Sequence, residues 1–141
     1  MNSSCQILPG VKKLFWVECN RLPTRIDLHA VVDLPVALLA DLNEITFFGR
    51  PECQRVTVKE NNGWRQEATL KFRAGEDLPF YKNIAFVVTD VNGDSYIIGA
   101  NEKPYPVLKS EYKTGSPSGD PAGFTYEISH NALRTLVKCI I

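Results

Sequence analysis

The run Asp90-Val91-Asn92-Gly93-Asp94 sets side-chain oxygens at alternate positions, the spacing with which a loop can wrap a calcium ion. An EF-hand loop also needs a glycine at its sixth place, a bidentate glutamate at its twelfth and a helix on either side. Counted from Asp90, those two places hold Ser95 and Asn101, and the flanks are branched and aromatic. A tight turn accounts for the same residues. Asn-Gly supplies the two positive φ angles of a type I′ turn. The pattern therefore predicts a two-residue hairpin loop with Val91 opposite Asp94, Thr89 opposite Tyr96, Val87 opposite Ile98, Val88 opposite Ile97 and Phe86 opposite Gly99.

Other residues with chemical potential stand apart from one another. A hydrolase needs a nucleophile, a base and a group that orients the base. The two histidines, His29 and His130, have no such company: His29 lies in an alternating segment and His130 in a predicted turn, "ISHNAL". "GSPSG" differs from the nucleophile elbow GxSxG at its centre, where Pro117 stands. Neither a P-loop nor GxGxxG is present. Glu76 and Asp77 are adjacent in a polar loop and read as solvated turn residues. The four cysteines, Cys5, Cys19, Cys53 and Cys139, include no CxxC pair. They read as reduced thiols of a cytoplasmically made protein, with Cys19 and Cys139 as small buried hydrophobes. Trp16, Trp64 and Phe15 could line a pocket, but such residues are more often core; Trp64, beside a turn, is expected to be part-exposed. The sequence thus predicts no enzyme, no cofactor and no metal.

Composition narrows the partners. With 16 basic and 16 acidic side chains in 141 residues the formal net charge is zero, so a broad phosphate-gripping face is not expected. Low net charge also makes packing against copies of the same chain electrostatically cheap. The start, "MNSSCQILPGVKKLFW", lacks the features of a secretory signal, and no apolar run approaches the roughly 18 residues of a membrane span. No membrane partner is expected.

The elements that must position these residues are mostly strands. Residues 11–19, "VKKLFWVEC", read as the first, and residues 25–32 as the second. Asp33 and Pro35 could open a short helix over "PVALLADLNE", with Leu34, Leu38 and Leu42 on one face; a short buried strand is the alternative. Residues 45–48 suggest another strand, closed by "GRPE". "CQRVTVKE" and "WRQEATLKFRA" then alternate clearly, with Val56, Val58, Ala68, Leu70 and Phe72 expected inward. A three-residue Asn61-Asn62-Gly63 loop, with Gly63 left-handed, pairs Val56 with Ala68 and keeps the faces matched. "GFTYEISH" and "TLVKCII" supply the last strands. The expectation is a single, mainly β domain over 1–141: an antiparallel β-sandwich or barrel with one short helix, an extended N-terminal arm at 1–10 and a long loop at 101–123 with a short strand near Val107.

Two features point outward. The hairpin over 85–100 is apolar on both faces away from its turn, so both need cover, one from a facing sheet and the other from the helix or another subunit. Its tip, residues 90–95, is expected to project. Loops beyond about 12–15 residues in a compact domain are commonly functional, and Lys109, Tyr112 and Lys113 lie in such a segment.

The order of features resembles the small virion structural proteins of tailed bacteriophages and of prophages of gut anaerobes. It runs from a Cys before "GVKKLFWVE", through a Thr- and Glu-bearing hairpin and "AFVVTDVNGDSYIIGA", to "GDPAGFTYEISH" before a terminal strand. Its strongest parts are the Asn92-Gly93 hairpin ending at Gly99, and Gly119-Asp120 with Gly123-Phe124-Thr125. "NEKPYPVLKSEYK" is longer here than in that pattern. The resemblance implies a sandwich that assembles into rings, such as tail-tube rings, through loops and hairpins. It implies a virion location after synthesis in the host bacterial cytoplasm. The implied partners are copies of itself and portal, neck or tail components, with at most indirect contact with packaged DNA. On that basis Asp90, Asn92, Asp94, Lys109, Tyr112, Lys113 and Asp120 are candidate subunit contacts. A capsid-associated protein, or a β-sandwich module binding carbohydrate or protein, are the alternatives.

Overall fold

The computed structural model describes residues 2–7, 10–26, 35–38, 42–61, 63–79, 81–102, 105–113, 123–132 and 135–140. Two sheets account for its strands. The first has the order β1 (Asn2–Ile7), β5 (Phe47–Glu60), β6 (Gly63–Ala74), β10 (Gly123–Ala132), β9 (Val107–Lys113), and every pair in it is antiparallel. The second has the order β3 (Val36–Ala37), β11 (Val137–Ile140), β8 (Ser95–Ile98), β7 (Ile84–Asp90), β2 (Val11–Glu18), β4 (Asn43–Ile45), antiparallel except where β3 joins β11. The protein is mainly β, a β-sandwich.

Period-two alternation builds the space between the sheets. Ala68, Leu70, Phe72 and Ala74 alternate along β6 with exposed or half-buried polar residues, and all four are buried. They meet Tyr126 and Ile128 of β10 and, from the other sheet, Leu14, Ile84, Phe86, Val88 and Ile98. Phe72 stacks on Tyr126 with centroids 5.1 Å apart and meets Phe86 edge-on at 6.2 Å. Each fully buried side chain of this size is worth roughly 1.5–3 kcal/mol in removal from water. The Tyr126 hydroxyl donates to the Glu76 carbonyl at 2.6 Å and accepts from the Leu78 amide at 3.0 Å, so the core pins the β6–β7 connection.

β7 is buried on both faces, as its unbroken apolar run requires. Ala85, Val87 and Ile97 point away from the sandwich interior into a second core with Val17, Val36, Val137 and Cys139. The cover over that face comes from the chain itself: Cys19 and Leu22 at a 3₁₀ turn (Cys19–Arg21), Ile26, Leu38, Leu42 and Tyr105. A second subunit is not needed to bury these residues.

Several local expectations are corrected. Where residues 35–44 are described, at 35–38 and 42–44, they do not form the expected helix; residues 39–41 lie outside the described residues. Val36–Ala37 is a strand parallel to β11, with the Leu38 amide bonded to the Ile140 carbonyl at 3.0 Å, and Asn43–Ile45 pairs with β2. The open flank of β11 offers hydrogen bonds that the local sequence does not reveal. Leu38 and Leu42 do share one apolar cluster, so their spacing reported burial rather than helicity. Asp33 and most of the strand predicted at 25–32 lie outside the described residues; Arg25, at its start, sits in a turn with φ +57°. β5 is not closed by "GRPE" but runs through it, with an irregularity between Phe48 and Glu52. The short strand expected near Val107 is present and longer than expected: β9 occupies seven of residues 101–123, so they are not one loop. His130 lies within β10 rather than in a turn.

Both hairpin registers differ from expectation by one residue. Glu60 pairs with Gly63, so the connection is one residue shorter than expected, and Arg55, not Val56, lies opposite Ala68. Gly63, at φ +130°, opens β6 instead of ending the loop. Cys53, Arg55 and Thr57 therefore face inward, while Val56 and Val58 take the outer face and lie opposite Cys5 and Ser3 of the N-terminal strand. Several inward polar groups bond to one another and to the Thr135 backbone at one end of the sandwich. Arg55 Nη1 donates to the Thr135 carbonyl at 3.2 Å, the Thr135 amide to Gln66 Oε1 at 2.9 Å, and Gln66 Nε2 to Thr57 Oγ1 at 3.4 Å.

Candidate assembly surface

The β7–β8 turn is closed by its own residues. Thr89 pairs with Ser95 and Phe86 with Ile98, which leaves a three-residue loop, Val91-Asn92-Gly93, in place of the predicted two-residue one. Asp90 explains the longer loop. Its amide donates to the Asp94 carbonyl at 2.9 Å, and its Oδ1 accepts from the amides of Asn92 and Asp94 at 3.0 and 2.9 Å. Gly93, at φ +89°, takes the left-handed position that follows such a turn. The Asp90 side chain is consumed by the backbone and the residue is buried, whereas Val91 is 59% exposed and Asn92 is exposed too. Asp94 Oδ1 lies 3.7 Å from Lys138 Nζ. The tip is thus a stiff projection presenting Val91, fixed at its base where the Val91 amide meets the Gly10 carbonyl at 3.1 Å. Among the described residues, no three His, Cys, Asp or Glu side chains converge as a metal site would require.

The other candidate contacts lie on β9. Lys109 is exposed on this edge strand; Tyr112 is 58% exposed and its ring rests 4.9 Å from that of Phe124. Lys113 ends the strand opposite Gly123. Asp120 lies outside the described residues, as do His29 and the "GSPSG" segment. The hairpin tip and β9 belong to different sheets, so the sequence-selected residues form two surfaces rather than one. The alternation missed the edge position of β9. Its sequence, Val-Leu-Lys-Ser-Glu-Tyr-Lys, alternates only loosely, and only the pairing with β10 reveals the edge.

Described residues line two clefts. One, of about 360 Å³, is lined by Glu18, Cys19, Asn20, Lys82, Asn83, Asn101 and Tyr105. Lys82 Nζ binds Glu18 Oε1 at 2.8 Å; this hydrogen bond holds the Glu18 carboxyl below its usual range and raises the Lys82 ammonium. The pair is mutually neutralised, which suits neither partner to proton transfer near neutrality. The other cleft, of about 330 Å³, lies beside the β5 irregularity and includes Cys53 and Lys71. Trp64 is 36% exposed at the start of β6, as its place after the turn suggested, while Trp16 and Phe15 are half-buried against the two cores.

Cys19, Cys53 and Cys139 are free, buried thiols. Burial pushes Cys53 and Cys139 up to about 12 and Cys19 to about 11, from an ordinary 9.0. A thiol held protonated is a poor nucleophile at neutral pH. It also couples stability to pH. In the unfolded chain these groups ionise near pH 9, while in the fold they stay neutral. Their contribution is fully present below pH 9 and is lost as pH rises from there toward 12. The urea midpoint is expected to fall between pH 8 and pH 10.5, and Cys53→Ala should reduce that slope. A slope unchanged by the substitution would contradict the assignment to Cys53.

No protein-family model, curated protein or solved structure matches the chain.

Proposed function

We propose that the chain is a non-enzymatic structural component of a tailed-phage virion that assembles into rings of its own copies in the tail or neck, against portal, neck or tail proteins. The β7–β8 tip carries this reading. It is stiffened by four turn hydrogen bonds through the Asp90 side chain and backbone, yet it presents an apolar side chain, Val91, to solvent. A projection ordered in advance loses little entropy on docking. A patch on one copy that fits a different patch on the next generates a ring when the rotation closes. The order of sequence features along the chain, which resembles small phage virion proteins, supports the same reading. The sequence argument from a doubly apolar hairpin does not, because the chain buries the second face itself.

The test is peptide mass spectrometry of purified particles of the encoding phage, with negative-stain electron microscopy of the concentrated protein. Virion peptides and closed rings of one size are expected. Particles lacking the chain would overturn the proposal.

A second reading, a carbohydrate- or protein-binding module, draws on exposed Trp64 and on the cleft rich in amide side chains beside Tyr105. Quenching of tryptophan fluorescence by glycans would favour it; a silent titration would count against it.

A further inference from the structure

Four strands end the two sheets: β3 and β4 in the six-stranded one, β1 and β9 in the five-stranded one. Those of the six-stranded sheet have two and three residues, short enough to offer little to a neighbour. β9 differs. It has seven residues with neither Pro nor Gly, and its register with β10 runs unbroken from Lys113 opposite Gly123 to Val107 opposite Ser129. One side of its backbone is paired; on the other side, among the described residues, no strand follows. Val107 is 68% exposed, and Lys109, Ser110, Glu111 and Tyr112 are exposed as well. An edge that is long, regular and uncovered is a template for another strand.

The residue order selects the strand. We propose that β9 is a self-complementary edge: the Val107–Lys113 strands of two copies pair antiparallel about a two-fold axis at Ser110, joining two five-stranded sheets into one. With Ser110 opposite Ser110, Lys109 falls opposite Glu111 at both symmetry-related places on the outer face. On the inner face Leu108, half-buried against the inter-sheet core, falls opposite Tyr112. Other registers are worse. Moving the axis to residue 109 sets Lys109 against its own copy, and moving it to 111 sets Glu111 against its own copy. An axis between residues mixes the two faces. The in-register pairing adds about six to eight backbone hydrogen bonds, and an interface in which the same patch serves both copies closes at two.

The other free edge is a poorer partner. β1, Asn-Ser-Ser-Cys-Gln-Ile, offers no charge to Lys109 or Glu111. Following the antiparallel order across the sheet, β1 and β9 run in the same direction. A ring that kept that direction would pair them parallel, the slightly weaker ladder.

Sedimentation equilibrium of the full chain, alone and as the variants Lys109→Glu and Glu111→Lys, tests this. The unaltered chain should dimerise. Each reversal sets like charges opposite at two places and should weaken the dimer about tenfold or more at low salt. Mixing the two variants makes positions 109 and 111 complementary again and should restore a heterodimer as tight as the original, a result that misfolded variants could not give. A chain that is monomeric at millimolar concentration, self-association indifferent to both reversals, or a mixture no tighter than its components would each overturn the proposal. It does not rest on the virion reading: rings that ignore both reversals remove the β9 dimer and leave that reading in place.

Discussion

Phe86→Ala is expected to lower the unfolding free energy by about 3–5 kcal/mol. Phe86 is completely buried at the centre of β7, the middle of the six-stranded sheet. Its ring meets Phe72 edge-on from the opposite sheet, and Phe72 in turn stacks on Tyr126. Truncation removes the ring from a layer built by both sheets, and neither sheet can close the gap without shifting a paired strand. Domains of this size have about 5–15 kcal/mol in total, so the variant should retain its fold with a thermal midpoint lower by about 10 °C or more. Val87→Ala is a useful comparison. Val87 is equally buried, but faces the outer core, and loses two methyl groups rather than a ring, so about 1–3 kcal/mol is expected. Calorimetry or urea unfolding of the two variants checks the ranking. A Phe86→Ala loss no larger than that of Val87→Ala would mean that the inter-sheet layer is not the principal core.

Gly99→Ala is expected to cost about 3 kcal/mol or more, through added rather than deleted atoms. Gly99 has φ +141°, where a side chain is strained wherever it points. Its new Cβ would also stand 2.5 Å from Ala85 Cβ, 3.1 Å from Ala85 Cα and 3.2 Å from Pro106 Cγ. Ala85 is fully buried within β7 and cannot retreat without disturbing the β2 pairing at Val17. The sheet and the 105–106 segment thus approach each other over a site where only hydrogen fits. A double-mutant cycle separates the two causes. Ala85→Gly removes the closest atom, so Gly99→Ala should cost less in that background, by the clash component alone, while the backbone strain persists. Equal costs in both backgrounds would assign the whole effect to φ.

Much of the architecture was legible in the residues. The alternation of Ala68, Leu70 and Phe72 gave their inward face correctly, because a strand packed on one side has only one way to hide every second side chain. The continuous run at Ile84–Asp90 announced a strand buried on both faces. Asn92-Gly93 marked a turn in the right place, and Trp64 its partial exposure. Registers were less legible. Whether Gly93 is the second residue of a two-residue loop or the left-handed residue of a three-residue one depends on Asp90, whose carboxylate binds two amides beyond it. That choice moved every pair in the hairpin by one place. At the tip, the sequence singled out Asp90, which is buried and bonded within the turn, and not Val91, which is exposed.

Periodicity and turn chemistry are local, and they alone determined that this chain is a β protein, where most of its strands run and which side of β6 is apolar. Tertiary structure decided the rest. Val36–Ala37 is a strand because β11, about a hundred residues later in the chain, leaves an edge beside it. Val56 faces outward because Arg55 finds the Thr135 carbonyl across the sandwich. β9 is an edge because, among the described residues, no strand follows it in the sheet order. Each of these outcomes depends on backbone groups that seek partners far away in sequence, and a hydrogen bond across such a distance leaves no mark on the spacing of nearby side chains.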